Sequence, residues 1–79
     1  MITPLVVANW KMSMEAPKIR EFVASWRATA DAAVDCVIAP PLAYLGLLSQ
    51  VPGIQLAGQD CSSEASGAFT GECSAASLL

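Results

Sequence analysis

The sequence predicts an α/β fold with a parallel sheet. Three observations carry that prediction. Short apolar runs, Leu5 to Ala8, Asp35 to Ala39 and Ile54 to Gln59, have the length of strands. The segment between the first two repeats its large apolar residues at helical spacing. Pro and Gly separate the pieces where a chain must turn. Strands that alternate with helices pair in parallel through right-handed crossovers, so three strands are expected side by side in the order 1-2-3.

In chain order, Leu5-Val6-Val7-Ala8-Asn9-Trp10-Lys11 reads as a buried strand that becomes polar at its end. Pro17 sits where a first helical turn tolerates it, and Ile19, Phe22, Val23, Trp26 and Ala30 then mark one face of an amphipathic helix. Asp35 to Ala39 is a short strand closed by Pro40-Pro41. Leu42, Leu45 and Leu48 predict a second helix to about Gln50, and Pro52-Gly53 turns the chain into strand three, Ile54 to Gln59. Residues 60 to 73, rich in Ser and Gly, are too long for a tight connection and form a loop before the start of a further helix. No repeat beyond the β-α unit and no interdomain linker breaks the chain, so residues 1–79 are read as a single unit.

Composition narrows the function classes. A net charge of −3 leaves no basic surface for nucleic acid or anionic membrane. The uncharged stretch between Asp35 and Asp60 is cut by Pro40, Pro41, Pro52 and Gly53 into pieces too short to cross a bilayer. Met1-Ile2-Thr3-Pro4 lacks a basic signal-peptide start, which makes the cytoplasm the expected location. Cys36, Cys61 and Cys73 are odd in number, there is no His, and no Cys-x-x-Cys occurs, so reduced, buried thiols are expected rather than a disulfide framework or a metal site. At 79 residues the chain is also near the size below which a core seldom suffices without association.

Two places carry candidate chemistry. Along a strand alternate side chains share a face, so Leu5, Val7, Asn9 and Lys11 are expected on one side, with an amide and an ammonium at the carboxyl end. That end is where parallel α/β sheets bind ligands, and a cation beside a neutral donor suits an anion with a carbonyl or phosphate oxygen. A solvated strand end of structural purpose alone has the same composition. In the loop, Gly67 and Gly71 bracket Phe69 and Thr70, which permits a bent tip presenting a ring and a hydroxyl; an ordinary surface loop fits equally.

Val7-Ala8-Asn9-Trp10-Lys11-Met12, Ala39-Pro40-Pro41 followed by Tyr44-Leu45, Gly58-Gln59-Asp60-Cys61, and Gly67-Ala68-Phe69-Thr70-Gly71-Glu72-Cys73-Ser74 together resemble the amino-terminal third of the triosephosphate isomerase family. All four segments occur in the family's order and cover essentially the whole chain. The resemblance implies a partial TIM barrel, a truncated (β/α)8 fragment; a complete barrel takes about 250 residues. It implies interconversion of glyceraldehyde 3-phosphate and dihydroxyacetone phosphate, a step of glycolysis and gluconeogenesis, without metal or organic cofactor. Asn9 would bond a substrate oxygen, and Lys11 would supply positive charge to the phosphate and the developing oxyanion. In the family the loop docks into a neighbouring subunit, so Met12, Phe69 and Thr70 become interface residues, Gln59 supports the loop base, and Glu72 pairs across the interface. Ser13 departs from the Asn usual there after Met12.

The family's catalytic Glu and His lie beyond residue 79, and Glu15, Glu21 and Glu64 occupy positions unsuited to replace the base. The expectation is therefore a chain inactive alone that self-associates, most simply as a homodimer through the Leu5 and Val7 face or through the loop, and binds triose phosphate or phosphate only weakly. Completion of a split isomerase by a second chain, and a weak phosphate-binding module using Lys11, are the other readings.

Overall fold

Leu5–Asn9 forms strand β1, and Pro4 before it accepts a hydrogen bond from Asp35 N at 2.9 Å that starts the pairing with β2, Asp35–Ala39. The structure, a computed structural model, describes residues 3–26 and 34–79. The two strands run parallel from Leu5 opposite Asp35 to Asn9 opposite Ala39. Strand β3, Gln55–Leu56, joins the far side of β2 in parallel, with Val37 opposite Gln55, which gives the order β1-β2-β3. The expected topology is observed.

Helix α1, Ala16–Ser25, begins beside Pro17 and ends where Trp26 turns extended. Phe22 meets the ring of Trp10 edge to face at 5.1 Å and Trp26 at 5.5 Å, so the helix is pinned to the carboxyl end of β1 by an aromatic chain. One such pair contributes about 0.5–1.5 kcal/mol beyond its area. Ile19 on the same helix, Leu48 and Pro40 are fully buried, and with Ile38 and Ala39 of the central strand they form the core. Ala30, the last expected apolar position of this helix, lies outside the described residues.

Three expectations need correction. The second helix is not continuous: Pro40-Pro41 leads into a 3-10 turn over Leu42–Tyr44, and only Leu45–Leu48 is α-helical (α2). Tyr44, at φ −107° and ψ 0°, separates the two. Strand three is shorter than Ile54 to Gln59, because Gly53 turns at φ 83° and the chain leaves the ladder after Ala57 N bonds Ile38 O at 3.0 Å. At Gly58 it then passes Leu78 so closely that an added Cβ would lie 2.8 Å from that side chain. Leu78 belongs to α3, Ala75–Leu78, whose N-cap Ser74 accepts from Ser77 N at 3.1 Å.

The third correction concerns burial. Every residue of β1 is exposed, Leu5 at 63% and Val7 at 50%, because among the described residues nothing pairs with its outer edge or covers that face. The radius of gyration, 14.1 Å, exceeds the roughly 12 Å of a closed domain of this length, as an open layer should. Cys36 and Cys61 are likewise exposed and Cys73 half-buried rather than buried thiols. On the helix side, Val6, Ala8 and Cys36 face Phe22 and Trp26 across an apolar groove of about 280 Å³.

Candidate functional site

The carboxyl ends of all three strands meet through a few hydrogen bonds. β1 stops at Asn9, so the alternation expected to carry on to Lys11 ends there and a turn takes over. Asn9 Oδ1 accepts from Lys11 N at 2.9 Å, and Ser13 N bonds Trp10 O at 3.1 Å. This side-chain turn holds Lys11 at φ 52°, the left-handed region that a residue with a Cβ enters at a cost. Strained backbone of this kind persists where its surroundings hold it, commonly at functional sites.

Gln59 supplies much of that hold. Its Nε2 donates to Lys11 O at 3.0 Å and to Ala39 O at 2.9 Å, joining the exit of β3 to the ends of β1 and β2. Ala39 O also accepts from Trp10 N at 3.0 Å. The resemblance gives Gln59 a place at the loop base, and its amide also spans the strand ends at Lys11 O and Ala39 O. A two-donor side chain just after a strand was the signal for this, but only the fold shows which carbonyls it reaches.

The Asn9–Lys11 bond has a chemical consequence. It occupies the carbonyl of the Asn9 side chain and leaves the Nδ2 hydrogens as donors, while Asn9 and Lys11 are both exposed. One strand end therefore offers an amide donor and an ammonium, a pair suited to an anionic oxygen.

The 60–73 loop is closed at its base by a parallel bridge between Ser62 and Ser74 and by Ser62 N donating to Cys73 O at 2.7 Å. At its tip Glu72 N bonds Phe69 O at 3.1 Å across a turn that needs φ 86° at Gly71. Gly67, at φ 131°, lies under the Phe69 ring, where a Cβ would be 2.8 Å from Cε2. Phe69 is 47% exposed, Thr70 and Glu72 are exposed, and Met12 in the β1 turn is 93% exposed. The structure thus gathers Asn9, Lys11 and Gln59 at the strand ends and sets Phe69, Thr70 and Glu72 on the loop. Sequence reasoning missed the Ser62 and Ser74 pairing that closes the loop, since neither Ser belongs to a periodic element.

Three adjacent parallel strands in the order β1-β2-β3, joined through helices, are consistent with a segment of a parallel β/α barrel. Residues 4–79 match the family model for Triosephosphate isomerase. The chain is 40% identical over 84 residues to the triosephosphate isomerase of Symbiobacterium thermophilum, covering 100% of this chain and 33% of that protein. To that of Alkalilimnicola ehrlichii it is 42% identical over 82 residues, with 95% and 32% covered, and to that of Streptococcus mutans 40% over 80 residues, with 95% and 32%. The chain belongs to the triosephosphate isomerase family, and it spans about a third of the length of these curated relatives.

Proposed function

We propose that this chain carries the substrate-oxygen and phosphate contacts of a triosephosphate isomerase, acting on dihydroxyacetone phosphate and glyceraldehyde 3-phosphate in the cytoplasm. The observation that carries the reading is the turn in which Asn9 Oδ1 fixes Lys11 at φ 52° on the strand end. Isomerisation of a ketose to an aldose passes through an enediolate, whose oxygen gains negative charge. An Asn9 N–H aimed at that oxygen and the Lys11 ammonium near it stabilise the charge as it forms, and a donor held in place before reaction needs no reorganisation. Neither group takes the proton from carbon. Glu15 is exposed at the N-cap position of α1, and Glu21 and Glu64 are exposed on the helix and the loop, so none of them is placed over a substrate at the strand ends. The 79-residue chain by itself is therefore inactive.

In isolation the chain self-associates as a two-fold dimer through its sheet. Support comes from exposed Leu5 and Val7 and from the outer edge of β1, which has no partner among the described residues. An unpaired edge templates association, two-fold closure is the commonest symmetry, and a specific interface needs roughly 1,000 Å² in total. Docking of the Phe69 and Thr70 tip is the competing arrangement. Light scattering decides between them: a dimer lost on Val7→Lys and kept on Phe69→Ser is expected, the reverse pattern assigns the loop, and a folded monomer rejects both.

Titration of the labelled chain with inorganic phosphate, followed by amide NMR shifts, tests the site. Shifts centred on Asn9, Trp10 and Lys11 with a Kd of about 1 mM, equivalent to about 4 kcal/mol, are expected from two solvent-screened groups. Shifts confined to other residues would sink the assignment.

A further inference from the structure

The base of the 60–73 loop brings the backbones of two cysteines together. Because Ser62 pairs with Ser74 in parallel and Ser62 N bonds Cys73 O at 2.7 Å, the register one step back sets Cys61 beside Cys73. Neighbouring strands lie about 4.8 Å apart, within the roughly 4.4–6.8 Å between Cα atoms that a disulfide spans. Both cysteines line one cavity of about 190 Å³, together with Leu42, Gln59 and Gly71. Cys61 is exposed and Cys73 half-buried, so a small reagent can reach the pair. Asp60 and Glu72 line the same cavity, and among the described residues no three His, Cys, Asp or Glu side chains are grouped so as to hold a metal ion.

We propose that Cys61 and Cys73 form a reversible intramolecular disulfide that locks the base of the loop. The exposed Cys61 thiolate attacks one sulfur of a small-molecule disulfide, such as glutathione disulfide, and releases one thiolate. Cys73 thiolate then attacks the Cys61 sulfur of the mixed disulfide and releases the second. The protein pair loses two electrons and two protons, the oxidant becomes two thiols, and excess reducing thiol reverses both steps. Cys73 Sγ surrenders only a weak contact to Ser74 O at 3.7 Å. The covalent ring that results encloses Gly67, Phe69 and Thr70, so oxidation restrains the loop tip while leaving Asn9 and Lys11 untouched.

Pairing selectivity tests the proposal. The chain is incubated with glutathione disulfide, at a pH near the ordinary thiol pKa of about 8.5, both in native buffer and in denaturant, and then alkylated. Mass spectrometry locates the tag on the cysteine left out of the disulfide. Cys61 and Cys73 are 12 positions apart, Cys36 and Cys61 25, and Cys36 and Cys73 37. Loop-closure statistics alone therefore give the Cys61 to Cys73 pair roughly two-thirds of the unfolded product. The native product is expected to carry the tag on Cys36 in more than roughly nine-tenths of molecules, unchanged by dilution, because the register holds the pair together. A Cys73→Ser variant should stop at the mixed disulfide on Cys61. A native share no higher than the denatured one, or products limited to glutathione adducts and cross-linked dimers, would overturn the proposal.

Discussion

Replacing Lys11 by Gly should stabilise the protein relative to replacing it by Ala, although both remove the same charge. At φ 52° a residue with a Cβ sits in the left-handed region, which costs roughly 1–2 kcal/mol, whereas Gly enters it freely. Gly gives back about 0.5–1 kcal/mol through the larger backbone entropy of the unfolded chain. Both variants keep the N–H that donates to Asn9 Oδ1 at 2.9 Å, and Gln59 still reaches the backbone carbonyl of residue 11. The net difference is about 0–1.5 kcal/mol in favour of Gly, centred near 0.75. The suitable host is a chimera in which this chain replaces the matching first third of the Symbiobacterium thermophilum relative. A protein of that size changes Tm by about 2–4 °C per kcal/mol, so at the centre of that range Lys11→Gly should melt about 2–3 °C above Lys11→Ala by scanning calorimetry. A higher Tm for Ala would refute the left-handed turn and with it the account of how Lys11 is presented.

Asn9→Asp keeps an acceptor for Lys11 N but removes the amide donors and places a negative charge beside the proposed anion site, so phosphate binding should vanish with little loss of stability; Asn9→Ala should lose both, read by phosphate titration and Tm. Gln59→Leu deletes the bonds to Lys11 O and Ala39 O and should destabilise the chimera by about 1–2 kcal/mol, measured by urea denaturation; an unchanged midpoint would show that the strand ends do not need the clamp. Gly67→Ala would set a Cβ 2.8 Å from the Phe69 ring at φ 131°, so the ring should move and its NMR signals shift, with Asn9 and Lys11 signals unaffected.

Much of the architecture was legible because it rests on local signals. The spacing of Ile19, Phe22, Val23 and Trp26 marked the apolar face of α1, and the alternation of strand and helix was enough to order the sheet. Strand three was overestimated because Ile54 to Gln59 is apolar enough to pair throughout, while Gly58 leaves the ladder to let Leu78 approach. That contact links residues 20 positions apart and has no local signature. The second helix was read as continuous because Leu42, Leu45 and Leu48 also suit a 3-10 turn followed by one α turn. At the site, Asn9 and Lys11 were visible as residues, but their geometry was not. Lys has no special tendency to positive φ, and the turn depends on a Gln59 amide arriving from another strand.

The most direct test of the central claim is kcat/KM of the chimera toward glyceraldehyde 3-phosphate, with and without Lys11→Ala. The unsubstituted chimera should turn over, because the proposed function gives this chain the substrate contacts and leaves the rest to the relative. Lys11→Ala should lower kcat/KM by about 10²–10³, the loss typical of one oxyanion-stabilising donor. A folded chimera whose activity is indifferent to residue 11 would contradict it.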